Sequence, residues 1–69
     1  MTNEDFAKRV GCHFTMASRL RNGDRLPSVK TLIKISTEFN VPVETLTRAH
    51  AKGAPAFSKL LRDRIFEAA

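Results

Sequence analysis

Between Phe6 and Gly23, small and apolar residues recur at a spacing that suits two short helices crossing at a tight turn. Phe6, Ala7 and Val10 put one apolar face on a first helix, and Gly11 interrupts it. Ala17 and Leu20 start the apolar face of a second helix, which Gly23 ends. A steep crossing needs a small residue at the contact, here Ala7, and a turn residue that tolerates φ > 0, here Gly11. The same geometry leaves Phe14, Thr15, Ser18 and Arg19 on the outer face, open to a partner.

The rest of the chain also reads as helix, without strand alternation, repeats or low-complexity tracts. Thr2 followed by Asp5 resembles a capping box, starting a helix that runs to about Val10. The second helix begins near His13 or Phe14 and stops at Arg21 or Asn22, with Gly23 as left-handed cap. Ser28 caps a third helix whose expected inward stripe is Val29, Leu32, Ile33, Ser36 and Phe39, with Ile35 beside it and Asn40 as its end. Val41-Pro42 interrupts the pattern, and Val43 to about His50 makes a short fourth helix with Val43, Leu46 and Ala49 inward. Lys52-Gly53-Ala54-Pro55 reads as a break. Beyond it Phe57, Leu60, Leu61 and Ile65, with Phe66 alongside, form a final amphipathic helix. The expected organisation is one all-α, five-helix domain: a core over residues 1–51, a hinge at 52–55 and a C-terminal helix over 56–69.

At 69 residues the chain is close to the smallest size at which one core holds a fold unaided. One cysteine excludes an internal disulfide, no run of about 18 apolar residues exists, and the first residues lack a signal-peptide core, so a cytoplasmic protein is expected. The net charge of +5 favours a polyanionic partner. Arg19, Arg21, Arg25, Lys30 and Lys34 lie close together, with Asp24 the only acid among them. This cluster coincides with the outer face of the two-helix unit, which points to phosphate binding rather than to a merely solvated surface.

Catalytic and metal chemistry find little support. Cys12, His13 and His50 are too few for a four-ligand zinc site, and Cys12 falls at an apolar turn position where a buried thiol is expected. The seven acids are scattered, and there is no glycine-rich phosphate loop. The last helix sets Lys59, Arg62 and Arg64 against Asp63 and Glu67, too little net charge to favour a membrane surface over core packing. Neither an enzyme nor a cofactor, metal or small-molecule ligand is expected.

From Thr2 to Leu46 the chain resembles the Cro/repressor-type (XRE-like, lambda-repressor-like) helix-turn-helix regulators of phages and bacteria. The resemblance rests on four pieces in order. They are Phe6-Ala7-Lys8-Arg9-Val10-Gly11, Ala17-Ser18-Arg19-Leu20-Arg21-Asn22-Gly23, Leu26-Pro27-Ser28, and Phe39-Asn40-Val41-Pro42-Val43-Glu44-Thr45-Leu46. Three departures stand out. The usual helix before the motif is missing, Ala17 replaces a larger aliphatic residue at the helix contact, and Asn3 stands where Gln commonly bonds a phosphate. The final helix is expected either to cover the missing wall or to pair with a second subunit.

The resemblance implies that the second helix lies in the major groove of double-stranded DNA, with Phe14, Thr15, Ser18 and Arg19 reading bases. Arg19 can bond bidentately to guanine, and Thr15 can donate, accept or offer its methyl. Phe14 either packs on a thymine methyl or folds inward to fill the space left by Ala17, and Met16 is read as a packing residue. Phosphate contacts are expected from Asn3, Arg21, Asn22, Arg25 and Lys30. The implied function is a Cro-like phage or prophage repressor acting by operator occupancy in the nucleoid of a bacterial host, with a homodimer as one option. The rival expectation is an antitoxin-like or anti-repressor protein-interaction module.

Overall fold

The end of each of the first three helices is specified by residues in the immediate vicinity. In the computed structural model, which describes residues 1–67, these are α1 (Asn3–Val10), α2 (Phe14–Asn22) and α3 (Val29–Phe39). They are followed by α4 (Val43–Lys52) and α5 (Ala54–Leu61), and α5 continues into a π-helical turn over Arg62–Phe66. Thr2 Oγ1 accepts from the Asp5 amide at 3.1 Å and Ser28 Oγ from the Thr31 amide at 3.3 Å, each satisfying an orphan donor at a helix start. Gly11 (φ 80°) and Gly23 (φ 80°) close α1 and α2 in the left-handed conformation. At Gly23 the Asp24 amide reaches the Arg19 carbonyl at 2.9 Å, the long-range bond of a Schellman motif.

One core joins all five helices and the final turn. Phe6, Ala7 and Val10 of α1 meet Ala17 and Leu20 of α2, Leu32 and Ile35 of α3, Val41, and Leu46 of α4. Phe57 and Leu61 of α5, with Ile65 and Phe66 of the π-helical turn, complete it. Phe6 sits between two rings, stacked on Phe39 with centroids 5.5 Å apart and tilted against Phe66 at 4.9 Å. The side of α1 expected to lack a wall is therefore covered by the C-terminal segment. The Met1 amine, donating to the Phe66 carbonyl at 3.1 Å, ties the two ends together.

Several expectations about facing are corrected. Val29 and Ile33, expected inward on α3, are 72% and 50% exposed, whereas Ile35 is fully buried. The apolar residues of α3 span about 160° of its circumference, wider than one core contact, which leaves two edges that could turn inward. The Phe6–Phe39 stack and the Arg9 guanidinium, 4.8 Å above the Phe39 ring, go with the one that buries Leu32 and Ile35. Val43 is 46% exposed, because Val41 takes the buried place two residues earlier and Leu46 carries the contact of α4. Helix α5 starts at Ala54, so Ala54 and Pro55 form its first turn, where proline needs no amide partner. Gly53 alone (φ 114°) separates α4 from α5. Positions 68 and 69 of the expected C-terminal helix lie outside the described residues.

Candidate nucleic-acid interface

Helix α2 is anchored by a narrow strip. Ala17 and Leu20 are fully buried, and Met16 packs against the same core from the side. Ser58 of α5, itself buried, donates its hydroxyl to the Arg21 carbonyl, one of the acceptors that a helix end leaves open. Held this way, α2 turns Phe14, Thr15, Arg19 and Asn22 to solvent, with Ser18 half-buried. Phe14 is 56% exposed, which decides between the two orientations open to it: the ring points outward, and Met16 is the neighbour that packs against the core. The Asn22 amide nitrogen donates to Ser18 Oγ at 3.4 Å, linking two polar groups of this face.

No Ser, Thr, Asp or Asn stands at the cap position of α2, and His13 does that work. Its Nδ1 accepts from the Thr15 amide at 3.1 Å, and its ring lies 5.0 Å from that of Phe14. From the sequence the helix start could fall at His13 or Phe14, and the structure makes His13 the cap. The available signal was its position one residue before the helix, with a ring nitrogen able to replace a cap oxygen.

Two of the expected phosphate-contacting residues are brought together at the start of α1. Arg21 Nη1 donates to Asn3 Oδ1 at 3.2 Å, while the guanidinium lies 4.6 Å above the Phe66 ring. A guanidinium has five N–H donors, so this one bond leaves donors for a phosphate oxygen. Arg25 is exposed in the loop after α2, and Lys30 is exposed in the first turn of α3. That loop is tied down by His50, whose Nε2 donates to the Pro27 carbonyl at 3.1 Å. Lys34, one turn beyond Lys30, lines a hollow with Lys30, Thr31, Val10 and Gly11, a second cation that sequence reasoning left out of the contact set. The i, i+4 spacing of the two lysines was the missed signal.

The distribution of charge sharpens the picture. The ion pairs among the described residues join Arg9 to Glu38 (3.5 Å), Arg48 to Glu44 (2.9 Å) and Lys59 to Asp63 (2.9 Å). None of them neutralises Arg19, Arg21, Arg25, Lys30 or Lys34. Positive charge around α2 is therefore left for an external anion. Cys12 is half-buried against the core, and desolvation pushes its thiol pKa above the ordinary value, with a backbone hydrogen bond opposing the shift. A thiol held protonated in this way is a poor nucleophile and metal ligand. Among the described residues no cluster of His, Cys, Asp and Glu could hold a metal ion, and no helix is long and apolar enough to cross a membrane.

An exposed polar helix, set by a left-handed turn across a preceding helix and ringed by unneutralised cations, is the geometry of a DNA-reading unit. A family model described as helix-turn-helix matches residues 1–46, which include both helices, the basic loop and α3. No curated protein and no solved structure matches the chain. The family consists of DNA-binding regulator domains and is not an enzyme family. With two thirds of its length matched, the chain belongs to the helix-turn-helix family of DNA-binding regulators.

Proposed function

We propose that this protein is a Cro-like repressor that recognises a specific operator in double-stranded DNA and acts by occupying it. The observation that carries the reading is the outer face of α2, where Phe14, Thr15 and Arg19 are exposed and Ser18 is half-buried between them. In this reading Arg19 bonds a guanine edge, while Asn3, Arg21, Asn22, Arg25 and Lys30, joined by Lys34, set the register on the phosphates. The free amides at the start of α1 lie beside the Asn3–Arg21 pair and add a favourable dipole end. Two copies on adjacent half-sites would supply specificity that one short helix cannot. The exposed Val29 and Ile33, one turn apart on α3, and Val43 at the start of α4 are apolar groups open to such a pairing.

For the rival, a protein-interaction module, the C-terminal apolar stripe would be the natural contact surface. Leu61 and Ile65 of that stripe are buried in the core, which supports the DNA-reading function over the rival. The deciding experiment selects bound duplexes from a random pool and titrates the selected site at two salt concentrations. Each neutralised phosphate contributes about 0.9 to the slope of log affinity against log salt. Arg19→Ala is expected to relax base preference, and Arg21→Ala to weaken all sequences alike with a shallower slope. Failure to enrich any duplex at low ionic strength would overturn the reading.

A further inference from the structure

Two rings stand side by side at the exposed end of α2. The His13 and Phe14 centroids are 5.0 Å apart with planes inclined by 34°, and both residues face solvent. The imidazole is not free to turn, because its Nδ1 accepts from the Thr15 amide. A ring nitrogen that accepts carries no proton, so the neutral ring keeps its hydrogen on Nε2. One member of the pair is thus fastened to the helix backbone, and the other leans on it. Nothing in the core requires the phenyl ring, since Ala17 is fully buried while Phe14 remains 56% exposed.

We propose that the His13–Phe14 pair reads the C5-methyl group of a pyrimidine, so that one position of each half-site is recognised as thymine or 5-methylcytosine. The inference rests on α2 being the base-reading helix. A pyrimidine C5-methyl projects into the major groove as an apolar group among donors and acceptors. A phenyl ring offers neither donor nor acceptor, so it is blind to the oxygen or amino group at position 4 and responds to the methyl alone. His13 is the positioning residue: it limits the directions open to the Phe14 ring before DNA arrives.

The test uses the full chain and duplexes selected from the random pool. At each pyrimidine of the selected site, thymine is exchanged for uracil, and cytosine is compared with 5-methylcytosine. Each pair differs by one methyl and keeps the same base pairing. At one position per half-site, the methylated member of each pair is expected to bind about fourfold more tightly, the effect of burying one methyl-sized group. Phe14→Ala should abolish both differences. His13→Asn retains a strong helix cap, so thermal stability should be preserved while the methyl effect falls by about half or more. An unchanged methyl effect in His13→Asn overturns the positioning role. Sequence-specific binding that groups thymine with uracil, and cytosine with 5-methylcytosine, overturns the inference alone. Absence of binding to any duplex overturns it together with the proposed function.

Discussion

Helices α2 and α5 are nearly equal in length and touch each other, yet they do opposite work. Helix α2 buries only Ala17 and Leu20, whereas α5 buries Phe57, Ser58 and Leu61 and hands on to Ile65 and Phe66. Most of the apolar area that stabilises the fold comes from helices other than α2. The outer face of α2 can therefore carry Phe14, Thr15 and Arg19 without a structural role. The two helices meet at Arg21, whose carbonyl accepts from Ser58 and whose guanidinium rests on Phe66. In this way the stabilising half of the molecule positions a cation of the reading half.

Substitutions can break or sharpen this contrast. Phe57→Ala should have the largest effect, removing about 3–5 kcal/mol from a domain that holds only ~3–10 kcal/mol in total. Urea denaturation should find the variant largely unfolded, and a folded variant with a near-normal midpoint would remove the role assigned to α5. Ala17→Leu comes next, at about 1–3 kcal/mol, because its site on α2 is already filled. A rise in stability would instead mean that Met16 leaves a void there.

Gly23→Ala is expected to cost about 1–2 kcal/mol. A Cβ there would meet Pro55 Cα and Ser58 Cβ at 3.5 Å, an ordinary contact, so the cost lies in the backbone angle. Gly23→Asn, which tolerates that angle better, should lose less when the two variants are compared by thermal melt. Phe14→Ala is the smallest, within about 0.5 kcal/mol, since its ring faces water. A loss well above that would show that the phenyl ring helps to hold the fold.

How much was legible depended on how local each signal was. Thr2, Ser28, Gly11, Gly23 and Asn40 act within a turn of themselves, so the helix ends they set could be read from the chain. Phe6, Ala7, Val10, Ala17 and Leu20 were readable as a core because their spacing allows one arrangement of two crossing helices. The exposure of Val29, Ile33 and Val43 was not, because an apolar side chain carries no label for the face it will occupy. Arg21 could be placed among the cations, but not above Phe66, a partner 45 positions away.

The sequence by itself determined where the first three helices start and stop and that the outer surface around α2 is basic, since capping and charge need no distant partner. Tertiary structure decided which apolar residues turn inward, that Phe14 stays out, and that the C-terminal segment closes the side of α1. The π-helical turn after Leu61 shows why. An ordinary helix would not bring Leu61 and Phe66, five residues apart, onto one face, yet both are buried. Contact with Phe6, sixty positions earlier in the chain, accompanies that change of winding, and no local rule can anticipate it.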